Sequence, residues 1–115
     1  MTNQDAFNKA VVGLASQKFE KSTLPLQNSV CTYRGVEGRK CALGWLIDDS
    51  CYVPTMESVP LFQLIEDGVV NCKDLALASE LRYAHDSSRN PEDMKSRLVV
   101  LTIRFRLDIP KELLT

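Results

Sequence analysis

Long apolar runs are missing from this sequence. Residues 98–101 form as long an uninterrupted stretch as any, far short of the ~18 residues a membrane-spanning helix needs. No membrane segment is therefore expected. An excess of one charge is missing too: 14 Lys+Arg stand against 15 Asp+Glu, formally −1, with pI ≈ 5.8. That balance argues against a polybasic nucleic-acid binder, whose affinity rests on net positive charge, and against an acidic disordered tail. No basic stripe interleaved with aromatics is present for single-strand binding. Histidine is scarce, with His85 alone. The cysteines Cys31, Cys41, Cys51 and Cys72 include no closely spaced pair. Zinc modules use C-x₂₋₄-C because one tight turn then aims two thiolates at one metal. Neither a metal site nor a cofactor is expected.

Other signatures are absent as well. Gly35 and Gly38 lack the Lys-Ser/Thr that completes a phosphate loop, so they are read as permitting backbone geometry. Asp48-Asp49-Ser50 lacks the ordering of a calcium loop. The opening Met1-Thr2-Asn3-Gln4-Asp5 has no basic region leading into an apolar one. A cytoplasmic location is expected, with thiols mostly reduced.

What is present suits one domain of mixed α and β character: 115 residues, 44% of them hydrophobic. Phe7, Val11, Leu14 and Ala15 recur at helical spacing and predict a helix over residues 4–20. Leu24-Pro25-Leu26 then opens a linker. Residues 29–41 read as a β-hairpin, with Val30, Thr32 and Tyr33 leading into a Gly35…Gly38 turn. A turn centred on Val36 would set Cys31 opposite Cys41, near enough for a disulfide, although a reducing compartment favours two thiols. Residues 42–47 suit a helical turn or a strand.

A short helix follows Ser58-Val59-Pro60, with Leu61, Leu64 and Ile65 inward and Gly68 as its stop. Asn71-Cys72-Lys73-Asp74 has capping-box spacing ahead of a helix over 72–86. Asn90-Pro91-Glu92-Asp93 is a strong helix start, and Met94, Leu98, Leu101 and Phe105 continue it to about 106. Residues 102–109 also alternate like a strand, and that alternative stays open. The expected fold is α+β: a small helix-rich single domain over 1–115, with an N-terminal helix, a central β-hairpin and three further helices.

The stretch from Cys31 to Glu57 carries Cys31, Tyr33, Arg34, Gly35, Gly38, Cys41, Ala42, Gly44, Leu46, Ile47, Asp49, Tyr52, Pro54, Met56 and Glu57 in one register. Ala84-His85-Asp86 and Phe105-Arg106-Leu107-Asp108 follow. In this pattern the chain resembles a group of small, uncharacterised proteins encoded by bacteriophages, prophages and bacteria. The resemblance spans roughly residues 29–109. It departs at Trp45, where a smaller residue is usual, and at Cys51, where an aliphatic is usual. It implies a compact α+β domain of phage or mobile-element origin and assigns no catalytic residue.

Two kinds of function compete. One is a thiol enzyme: Cys41 as nucleophile at a helical turn, beside Lys40, with His85 as base and Asp86 or Asp49 as orienter. Against it, neighbouring residues on a helix point apart, which places Asp86 poorly, and His85 falls on the core stripe. A buried histidine more often bonds a carboxylate or carbonyl and holds shape. Cys51 and Cys72 are read as small buried hydrophobes. The other, favoured function is a small interaction protein that binds a host protein. Inhibition of a defence-system effector, such as a restriction or CRISPR enzyme, is one version. Its surface would be Arg34, Glu37, Arg39, Asp48 and Asp49, charged groups that a rigid hairpin presents at low ordering cost. Nucleic acid is a less favoured partner: Lys95, Arg97, Arg104 and Arg106 are diluted by Glu92, Asp93 and Asp108. A homodimer is compatible with the sequence.

Overall fold

The protein is described from a computed structural model, which places residues 1–24 and 27–114, with side chains described outside 27–30. Among the described residues four helices build the fold: α1 (Asn3–Ser16), α2 (Leu61–Glu66), α3 (Leu75–Asp86) and α4 (Pro91–Arg104). The α+β expectation is overturned. The chain is a small helical globule, and residues 29–41 do not form a hairpin. The only strand pairing among the described residues is antiparallel, between β1 (Thr23–Leu24) and β2 (Gln27–Cys31), with Thr23 opposite Cys31. Pro25 and Leu26 of the expected linker lie outside the described residues.

The hairpin fails for a local reason. The Gly35 N–H does donate to the Arg39 carbonyl at 2.9 Å, so a tight loop closes around Val36. The arms then diverge. Thr32 N–H donates to the Ser22 carbonyl at 3.1 Å, taking the first arm to the other side. Past Cys41 the second arm winds into a 3₁₀ turn at Gly44–Leu46. Cys31 therefore does not face Cys41, and both are free thiols. Gly35 is required by close approach, because a Cβ there would collide with Ser22 Oγ and the Thr23 backbone.

α1 starts as expected, with Thr2 and Asp5 forming a reciprocal capping box. It stops at Ser16, short of residue 20, because Lys18 (φ 56) and Phe19 (φ 57) turn left-handed. Phe19 N–H then donates to the Leu14 carbonyl at 2.8 Å, and the ring folds back into the core. α3 begins three residues after the predicted start: the cap is Asp74, whose side chain accepts from Leu77 N–H at 3.2 Å. Asn90 caps α4 as expected, accepting from Asp93 N–H at 2.8 Å. α4 ends at Arg104, Arg106 turns left-handed (φ 54), and no strand follows in 102–109. The alternation there is the trailing edge of a helix with Leu101 and Thr102 buried.

One core joins these elements. Phe7, Val11 and Leu14 of α1 meet Leu43 and Leu46, and Leu77 and Leu81 of α3 meet Met94 and Leu98 of α4 in the same cluster. α3 packs on α4 and on α2, while α1 packs on the 44–46 turn. No helix among the described residues is long and apolar enough to cross a membrane.

Asp93 accepts from the Arg89 backbone N–H at 2.9 Å and from Arg97 Nε at 3.1 Å. The Arg89 bonds, then Arg97, hold its carboxyl down at about 2. A lowered folded pKa stabilises above the unfolded value of roughly 4, and that gain is lost as pH falls through about 2. Thermal melts of Asp93→Asn against the parent should differ at pH 5 and converge near pH 2. A difference that persists unchanged across that window would show that the ionised carboxylate is not the cause.

Candidate functional site

Residues 32–58 contain no strand and no helix beyond three short 3₁₀ turns. Their backbone carbonyls and N–H groups therefore need partners from side chains. Arg34 supplies three carbonyls with donors. Its Nη1 donates to the carbonyls of Tyr33 at 3.2 Å and Gly44 at 2.9 Å. Its Nη2 donates to the Ile47 carbonyl and to Asp49 Oδ1, both at 2.9 Å. The guanidinium also lies over the Tyr52 ring, 4.7 Å from its centroid. Gly44 is needed in this arrangement, since a Cβ would strike the Tyr33 carbonyl oxygen.

Two further side chains complete the knot. Glu57 accepts from the Tyr33 N–H at 3.1 and 3.2 Å and from the Tyr52 hydroxyl at 2.6 Å. Burial, with that bond to an anion, pushes the Tyr52 phenol up to about 12. Gln17, just past α1, accepts from Lys40 N–H at 3.0 Å and donates to the Lys40 carbonyl at 2.7 Å. Lys40 and Arg34 both reach Asp49, and Lys40 above all holds its carboxyl below the usual range. Tyr33, Arg34, Gly44, Asp49, Tyr52 and Glu57 all belong to the sequence pattern quoted above, and it is their mutual bonding that folds this segment.

The surface residues named from sequence split. Arg34 is largely enclosed and spends its donors on the fold, with 19% of its side chain exposed. Glu37, Asp48 and Asp49 are exposed, and Arg39 is partly so, pairing with Glu37 at 3.2 Å. The thiol enzyme's parts do not assemble. Cys41 is buried, accepts from the Gly44 N–H at 3.3 Å, and is pushed up to about 12 by that burial. No hydrogen bond joins it to His85 among the described residues. Cys51, expected to be buried, is exposed, whereas Cys72 is buried.

His85 is fully enclosed. Its Nε2 accepts from the Ser22 backbone N–H at 3.0 Å, and its Nδ1 lies 2.7 Å from Asp86 Oδ1. Contrary to the sequence expectation, the adjacent residues His85 and Asp86, in the last turn of α3, do meet. The Ser22 N–H can only donate, so the ring carries its proton on Nδ1 and gives it to Asp86. In that tautomer the ring's one lone pair, on Nε2, is taken up by the Ser22 N–H and is not free for base catalysis.

Cys31, half-buried, completes a cluster with them: Sγ, an imidazole nitrogen and a carboxylate oxygen all lie within 4.8 Å of one another. Sequence reading missed this trio because it paired His85 with the wrong cysteine. It does not suit a metal. A cation on Nδ1 needs the proton moved to Nε2, where it would face the Ser22 N–H. Burial first, then the neighbouring Asp86 charge, raises the Cys31 thiol to about 11, so it is no ready thiolate. The adjoining cleft, lined by Cys31, Tyr33, Cys41, Glu57, Arg82 and Asp86, encloses about 30 Å³, space for a water or two. The arrangement holds a ribbon, a helix end and a loop together.

Comparison with known proteins finds no matching family model, no matching curated protein and no matching solved structure.

Replacing Arg34 by Ala strips donors from three carbonyls and should destabilise by about 2–3 kcal/mol in urea melts; Arg34→Lys should recover only part, since an ammonium cannot span them. His85→Phe orphans the enclosed Ser22 N–H at a cost of about 1–3 kcal/mol. In iodoacetamide mapping at neutral pH, Cys51 should label first and Cys41 only on unfolding; a fast-labelling Cys41 or Cys31 would contradict this account.

Proposed function

We propose that the protein acts by binding a host protein, as a small interaction protein of phage or mobile-element origin. Blocking a defence-system effector is one form of that action. The origin rests on the resemblance carried by the residue 31–57 pattern. The observation that favours binding is how the surface is held. Arg34 ties the carbonyls of Gly44 and Ile47 to Asp49, and the Gly35 N–H closes on the Arg39 carbonyl, so the loops bearing Glu37, Arg39, Asp48 and Asp49 are fixed before any partner arrives. Presenting charges on pinned backbone lowers the ordering cost of association and favours charge-selective docking. Meanwhile Cys41, Cys31 and His85 are spent on structure.

The test is affinity capture of the tagged protein from a bacterial host, with co-purifying proteins identified by mass spectrometry. Arg39→Glu combined with Asp48→Lys should reduce capture of a specific host protein about tenfold or more. The same variant should keep its melting temperature within roughly a degree or two, because the ion pair it breaks, Arg39 with Glu37, is solvent-exposed, and such pairs contribute little. Undiminished capture would remove this surface from the proposal.

A further inference from the structure

Trp45 forms a wall shared by two adjoining grooves. One, about 480 Å³, runs along α1 and is lined by Asn8, Lys9, Val12, Gly13, Ser16 and Trp45. The other, about 350 Å³, continues past Ser16 and Trp45 to Lys18, Glu37 and Arg39. The floor of the first is apolar: Val12 is 50% exposed, and the indole lies so close to Gly13 that any Cβ there would strike it. The indole Nε1 is buried and has no acceptor among the described residues. The ring is therefore held by packing and by Lys40, whose Nζ sits over it 4.5 Å from the centroid.

The rim is cationic. Lys9 and Lys18 are exposed and make no ion pair among the described residues. Lys40 and Arg39 add two charges, offset by Asp49 and Glu37. Lys18 is set in place by its left-handed backbone and the bond from its N–H to the Ala15 carbonyl at 2.9 Å. An apolar floor under an uncompensated cationic rim selects acidic segments that carry an apolar side chain.

We infer that this groove docks an acidic, leucine-bearing peptide segment of a partner protein, its apolar side chain on Val12 and Trp45 and its carboxylates beside Lys9 and Lys18. The inference rests on the binding-protein reading above and adds the chemistry of the partner. A nucleic-acid strand fits less well: with Gly13 against the indole and Lys40 over its ring, the part of Trp45 left to line the groove beside Val12 suits an aliphatic side chain and not a stacked base.

Trp45 is the sole tryptophan, so its fluorescence reports on the groove directly. The purified full chain is titrated with a blocked peptide of glutamate and leucine in amphipathic order, its lysine-for-glutamate counterpart, and oligothymidylate. The glutamate peptide should give a saturable change that weakens with salt, the lysine peptide none. Lys9→Glu with Lys18→Glu should weaken binding about tenfold, and Val12→Asp should weaken it comparably, with circular dichroism confirming intact helices. No saturable change, an equal response to the lysine peptide, tighter binding of oligothymidylate, or indifference to the lysine reversals would each overturn the inference. Because the probe is synthetic, such a failure leaves the host-capture result standing, whereas loss of host capture alone leaves the groove intact.

Discussion

One guanidinium carries the central third of this protein. Between Thr32 and Ser58 the backbone has neither ladder nor long helix to satisfy its polar groups. Arg34 meets that demand from a single point, bonding carbonyls ten and thirteen residues away. Its planar fork of donors suits the task in a way a point charge does not. Asp49 neutralises it, Tyr52 covers it, and Glu57 secures both the Tyr52 hydroxyl and the Tyr33 N–H. The segment is consequently a fixed shape despite having almost no regular structure.

A second polar contact does the same work in the interior. His85 bonds a backbone N–H of the ribbon and the carboxylate that follows it on α3. A buried imidazole with both nitrogens engaged is a joint between elements, and its tautomer follows from the donor it faces. The nearby thiols share that character, for burial keeps Cys31 and Cys41 protonated. The charged loops and the apolar groove beside Trp45 are open to the outside, which is why association is the function favoured here.

The helices were legible from local signals. Periodic apolar residues and strong caps located α1, α3 and α4, with errors confined to their ends. Those errors have identifiable causes. Non-glycine residues Lys18, Phe19 and Arg106 adopt left-handed backbone because burial of Phe19 and the bond from the Leu107 N–H to the Thr102 carbonyl outweigh a modest local cost. Residues 29–41 look like a hairpin because Gly35 and Gly38 do make a tight loop, yet the choice of partner strand lies with Thr23, outside that stretch. In the same way the cysteine that meets His85 was decided by the pairing of Cys31 with Thr23 and by the bond from the Ser22 N–H to the His85 ring, 63 residues further on.

Local sequence alone determined where helices form and begin, since capping and periodicity act within one or two turns. Only the tertiary structure decided that Arg34 turns inward, that Cys31 replaces Cys41 beside His85, and that Trp45 walls a cationic groove. Those outcomes depend on contacts between residues far apart along the chain, and a hydrogen bond or packed ring has no sequence spacing by which to announce itself.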